Sequence, residues 1–130
     1  MGIWDELSRE ESVVLVNALE EAWLNQVIGD YLGHREENGI WRFSGDLAAI
    51  TPLIPGFAAI VRSMIERDLI DLVPTDRYED QPRAPRMTDA EVDAALGDPA
   101  TWLPPVGPGP VMVIATGHVI RRIERSKDPI

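Results

Sequence analysis

Residues 51–73 read TPLIPGFAAIVRSMIERDLIDLV, and this stretch constrains the fold more than any other. Phe57, Val61, Met64 and Ile65 recur at the spacing that holds one face of a helix against a core, and Leu69 and Ile70 extend the apolar pattern. Residues 69–73 then read as a strand, so the helix feeds a sheet with almost no loop between them. Pro55 suits the first turn of that helix, where its missing amide proton has no partner to lose. A short preceding helix, roughly 45–51, is expected to end at Thr51, because Pro52 disfavours helical dihedrals in the residue before it. The outward face of the main helix is the unusual part. It begins with Pro55, Gly56, Ala58 and Ala59 and continues with Arg62, Ser63 and Glu66.

Upstream, Ser8 and Glu11 have the spacing of a capping box. They open a long helix whose stripe takes in Val16, Leu19, Trp23, Val27 and Tyr31, with Gly33 as a left-handed stop. A first helix of that length serves either a longer core contact or a homodimer interface. Residues 34–39 read as a polar turn and 40–43 as a short strand. Ser44 is the expected cap of the second helix, with Asp46 in its first turn. Residues 74–110 hold eight of the eleven prolines. One helix interrupts them, opened by a second capping box, Thr88 and Glu91, with Met87 and Val92 as its staple. It closes at Gly97, Asp98 and Pro99, and the run PPVGPGP at 104–110 is a stiff connector. Residues 111–115 are the clearest strand and should pair with 69–73. The expectation is one α+β, mostly helical domain over residues 1–130. Its sheet is short, two- or three-stranded, and 74–110 form a Pro-rich insertion between the last two strands.

The order helix, short strand, helix, helix, strand, insertion, strand resembles the winged helix-turn-helix superfamily over about 8–73 and 111–120. Such domains commonly run from the third helix through Gly-Leu-Ile into a strand, and here Asp68 precedes Leu69 and Ile70. Asp tolerates the left-handed conformation better than most residues, so the resemblance survives the change. The wing would be replaced by the long insertion. Its segment DPATWLPP, 98–105, is similar to one in small bacterial winged-helix proteins of no assigned activity, and it implies none. The superfamily's usual function is DNA binding through the third helix.

Charge and chemistry weigh against that function here. The formal net charge is −10, from 22 acidic and 12 basic residues, so the average surface repels phosphate. Residues 117–130 alone are net positive, with Arg121, Arg122, Arg125 and Lys127 as candidate phosphate contacts. The other reading of that cluster is a solvated end pairing with an acidic body. Base reading needs bidentate donors, and Arg62 is the one strong donor on the third helix, with Glu66 one turn away as a salt-bridge partner. The small residues at 55–59 instead suit close packing, either against another protein or against the chain's own insertion.

No enzyme is expected. There are no cysteines, which excludes thiol catalysis, disulfides and zinc–cysteine sites. His34 and His118 fall in unrelated segments and neither has a metal-ligand spacing. The prolines of 107–110 lack the amides that cradle phosphate. Adjacent carboxylates such as Glu20 and Glu21 do not face each other on a helix. No cofactor and no metal are implied. Trp23 and Trp41 are expected in the core, and Trp4 and Trp102 as anchors of the terminus and the insertion, or as interface residues. The acidic N-terminus has no signal-peptide pattern, and no apolar run approaches the roughly 20 residues of a membrane span. A cytoplasmic address without membrane contact is the expectation.

These features lead to an acidic protein–protein interaction module, acting as an inhibitor, immunity-type or adaptor protein. Its partner would be another protein, one with a basic surface, bound through Pro55, Gly56, Ala58, Ala59 and Arg62. The alternative is a dimeric DNA-binding transcriptional regulator using Arg62, Arg121, Arg122, Arg125 and Lys127. A third reading is an acidic DNA mimic.

Overall fold

A computed structural model describes residues 2–74, 86–103 and 111–126. Ser8 caps the first helix, α1 (Arg9–Leu19): its Oγ accepts from the Glu11 amide at 3.1 Å, and Glu11 Oε1 accepts from the Ser8 amide at 2.9 Å. The helix then stops well short of Gly33. Glu21 takes a left-handed backbone, φ 54°, which costs a non-glycine residue about 1 kcal/mol or more. Ala22 and Trp23 extend, and α2 (Leu24–Leu32) begins afresh. The break turns two different faces inward: Val14, Leu15 and Ala18 from α1, and Leu24, Val27 and Ile28 from α2. The continuous stripe through Val16 and Leu19 is therefore not the core face, and both residues are exposed. What offsets the strain is a backbone partner, because Ala22 O accepts from Val113 N at 2.9 Å and Trp23 bridges Met112.

Gly33 is not a left-handed stop either, at φ −67° and ψ 174°. Its role is space: a Cβ there would lie 2.6 Å from the Arg42 carbonyl oxygen. Gly29 is equally tight, 2.6 Å from the Ser44 oxygen, while Ser44 N donates to Gly29 O at 3.0 Å. These two glycines seat a small hairpin on α2. Its strands are β1 (His34–Arg35) and β2 (Trp41–Arg42), antiparallel around Gly39 at φ 83°. The expected strand at 40–43 is thus shorter, and part of the expected polar turn is its partner.

Asp46, rather than Ser44, caps α3 (Leu47–Ile50), its Oδ1 accepting from Ala48 N at 3.0 Å. The expected break at Thr51 does not occur. Thr51 keeps helical dihedrals (φ −54°, ψ −45°), and a 3-10 turn, Thr51–Leu53, carries the chain past Pro52 into α4 (Ile54–Glu66). Both prolines sit in first turns, where no amide proton is needed. Asp68 then adopts φ 57°, as expected of the residue standing where Gly is usual. Its carbonyl accepts from Thr116 Oγ1 at 2.6 Å.

Strands β3 (Ile70–Pro74) and β4 (Val111–Ala115) pair antiparallel, Ile70 opposite Ala115 and Pro74 opposite Val111, as the sequence predicts. Met87 N donates to Leu72 O at 3.0 Å on the outer edge of β3. Helix α5 (Asp89–Leu96) opens with its capping box, Thr88 Oγ1 accepting from Glu91 N at 3.2 Å. Trp102 follows a 3-10 turn, Pro99–Thr101, and is fully buried, its Nε1 donating to Leu96 O at 3.1 Å. The connector at 104–110 lies outside the described residues. The C-terminal basic run is a helix, α6 (Gly117–Ser126), with Val119 and Ile123 facing the core. The architecture is α+β and mostly helical, with two small antiparallel sheets of two strands each.

Candidate interaction surface

The capless start of α4 presents the small residues to solvent. Pro55, Gly56 and Ala59 are exposed, while Ala58 is half-buried against the core. A Cβ on Gly56 would meet nothing within 4 Å. Packing against the insertion therefore does not account for Ala59. Residues 47–61 carry no charge at all. On one side of this helical track Ile50, Phe57, Val61 and Met64 enter the core; on the other, Leu47, Ala48 and Ala59 face out. A helix that is apolar all round is normally covered all round. This one is covered on a single side.

The surface extends further than the sequence suggests. Ile40 is 59% exposed, Leu47 53%, Phe43 41% and Trp41 39%. Trp41 thus sits on the hairpin rim rather than in the core, one edge of its indole lying against Gly33, where a Cβ would come within 3.0 Å of Nε1. Trp23 is half-buried, Trp4 is exposed and Trp102 is the core tryptophan. The exposed group at 40–47 escapes sequence reading because its alternation looks like that of a half-buried strand. The two glycines at 29 and 33 are the trace it leaves.

Arg62 is held in place by carboxylates. Its guanidinium lies 3.6 Å from Glu66, as expected, and also 3.3 Å from Asp89 and 3.5 Å from Asp93 on α5. Reading a base would mean giving up these three partners. Pro55, Ala59, Arg62 and Glu66 follow one another at helical spacing, so a single face runs from apolar to acidic along α4. On the hairpin, Arg42 beside Glu36 holds that carboxyl below its ordinary pKa. Of the C-terminal candidates, Arg122 pairs with Glu6, Arg121 and Arg125 are exposed on α6, and Lys127 lies outside the described residues. Among the described residues no three His, Asp or Glu side chains gather to hold a metal ion.

The continuity across Pro52 and Pro55 has a second effect. The track Leu47–Glu66 spans 20 residues with a mean hydropathy of 1.6, long and apolar enough to cross a membrane by length and composition. That differs from the expectation that no apolar run approaches the length of a membrane span. Within this fold the track contributes Phe57, Val61 and Met64 to the core.

No family model, curated protein or solved structure matches this chain.

Proposed function

We propose that the chain is an acidic protein–protein interaction module, an inhibitor, immunity-type or adaptor protein of the cytoplasm, built on a winged-helix-type scaffold. The observation that carries this reading is the uncharged helical track 47–61 with one side open to solvent. An apolar patch of this kind, bordered by polar residues, marks a contact surface. Pro55, Gly56, Ala58 and Ala59 supply close backbone approach, Ile40, Trp41, Phe43 and Leu47 supply burial, and the carboxylates around Arg62 draw in a basic partner. The mechanism is docking or occlusion rather than catalysis. The scaffold reading draws support from the later part of the chain, where the β1–β2 hairpin, α3, α4, β3, the insertion and β4 follow in the expected order, while the expected first helix is divided into α1 and α2.

Affinity capture of the tagged chain from its native lysate, after nuclease treatment, tests the proposal. A stoichiometric partner should be lost when Ala59→Arg places a long cation on the exposed face of α4. A partner retained undiminished by that variant would put the contact elsewhere. The DNA-binding alternative draws on Arg121 and Arg125, and it predicts salt-sensitive duplex binding weakened by removing residues 121–127. A DNA mimic would compete with duplex DNA for one partner.

A further inference from the structure

A separate surface lies where the end of α1 meets the start of α6. Ala18, Leu19, Glu21, Ile114, Ala115 and Ile120 line a groove there. Leu19 and Ile120 are each 40% exposed, and Val16, one turn back on α1, is 39% exposed. Charges of opposite sign border this strip. Glu20 and Glu21 are exposed at the α1 end; on α6, Arg121, Glu124 and Arg125 are exposed and leave that border net positive. These two arginines stand out in a chain of net charge −10. Arg9 lies over the Tyr31 ring and Arg35 bonds the Gly39 carbonyl. Arg42, Arg62, Arg67, Arg86 and Arg122 all sit in ion pairs. Among the described residues, Arg121 and Arg125 are the guanidiniums with neither an ion pair nor a hydrogen bond.

We propose that this face binds a second copy of the chain as a two-fold dimer. Arg121 and Arg125 of each copy meet Glu20 and Glu21 of the other, across the strip formed by Val16, Leu19 and Ile120. A two-fold interface uses the same patch on both partners, so the patch must be complementary to itself. An acidic α1 end and a net positive α6 border meet that condition. Nucleic acid would satisfy the arginines and be repelled by Glu20 and Glu21. A wholly basic partner would do the reverse. For two copies that repel at long range, a local pairing of opposite charges is what orients the encounter. The apolar strip is small, which places the dimer among weak, reversible associations. It is independent of the α4 surface.

Sedimentation of the full chain should show a monomer–dimer equilibrium with a dissociation constant on the order of 10–100 µM, as suits a small interface. Arg121→Glu with Arg125→Glu makes every bordering charge acidic, and Glu20→Arg with Glu21→Arg leaves Glu124 as the one acidic group among them. Each variant alone should dimerise at least about tenfold more weakly, because like charges then face each other. Mixed in equal amounts, the two should form a heterodimer, since the facing borders are again of opposite net sign. Ala59→Arg should dimerise as the wild type does, which separates this surface from the partner site. A wild-type chain still monomeric at tenfold above that range overturns the proposal. So do charge variants that dimerise normally, or a monomer that binds duplex DNA through the same arginines.

Discussion

Residues 86–103 and residues 34–47 both lie outside the helix–sheet core, and they use their apolar side chains in opposite ways. The first sends Val92, Leu96 and Trp102 inward, where they join the cluster around Leu15, Leu24 and Met64. The second leaves Ile40, Trp41, Phe43 and Leu47 at the surface. It is held by close backbone approach at Gly29 and Gly33, with one edge of the Trp41 indole against Gly33. An element fixed through its side chains has none to spare for a partner, whereas one fixed through its backbone keeps them free. That difference gives the insertion a place in the core and is in keeping with the interaction role proposed for the hairpin.

The largest effect should come from the insertion's anchor. Trp102→Ala removes a fully buried indole and should destabilise the chain by about 3–5 kcal/mol. Urea unfolding followed by helical circular dichroism measures it. A cost comparable to that of an exposed tryptophan would mean that the insertion is not part of the cooperative core.

Local hydrogen-bonding chemistry was the legible part of this fold. Ser8 with Glu11, Thr88 with Glu91, the left-handed Asp68 and the β3–β4 pairing all follow from short-range patterns, because each is fixed by residues within a few positions or by a long apolar run. What could not be read was where a helix pauses. Nothing in the composition of residues 19–24 marks a break; the partner that rewards it, Val113, is some ninety residues away. Pro52 misled in the other direction, since a 3-10 turn satisfies its geometry without ending the track. At the candidate surface, the small residues 55–59 were visible and the aromatic half was not. Exposure is a property of the packed chain, and Trp41 carries no local sign of it. The carboxylates from α5 that hold Arg62 are likewise a tertiary fact, 27 and 31 residues distant in sequence.

A smaller effect tests how the insertion is clasped to the sheet. Asp71 on β3 pairs with Arg86 at 3.0 Å. Its pKa is raised from the ordinary value of 3.8, because burial outweighs the pull of the arginine. The folded state therefore binds this proton more tightly than the unfolded state. Stability from this group falls as pH rises between 3.8 and the raised value, and the penalty persists above it. Asp71→Asn imitates the protonated form. It should match the wild type at about pH 3.5, where both side chains are neutral, and exceed it at neutral pH. Unfolding curves at both pH values, either side of the isoelectric point near 4.5, provide the comparison. A variant less stable at neutral pH would show that the ion pair, rather than desolvation, governs this contact.

The smallest effect on stability should accompany the largest effect on binding. Trp41→Ser together with Phe43→Ser replaces two aromatic side chains on the hairpin rim, 39% and 41% exposed. Surface substitutions of this kind shift stability by about 0.5 kcal/mol or less. The same change strips much of the exposed aromatic surface from the proposed contact, where buried tryptophan and its neighbours carry most of the energy. The double variant should thus unfold with the wild type and fail to retain the captured partner. If it unfolds several kcal/mol early, the hairpin is anchored through those rings and the contrast with the insertion collapses. If it is stable and still holds the partner, the contact narrows to Pro55, Gly56, Ala58 and Ala59, and the exposed aromatics need another explanation.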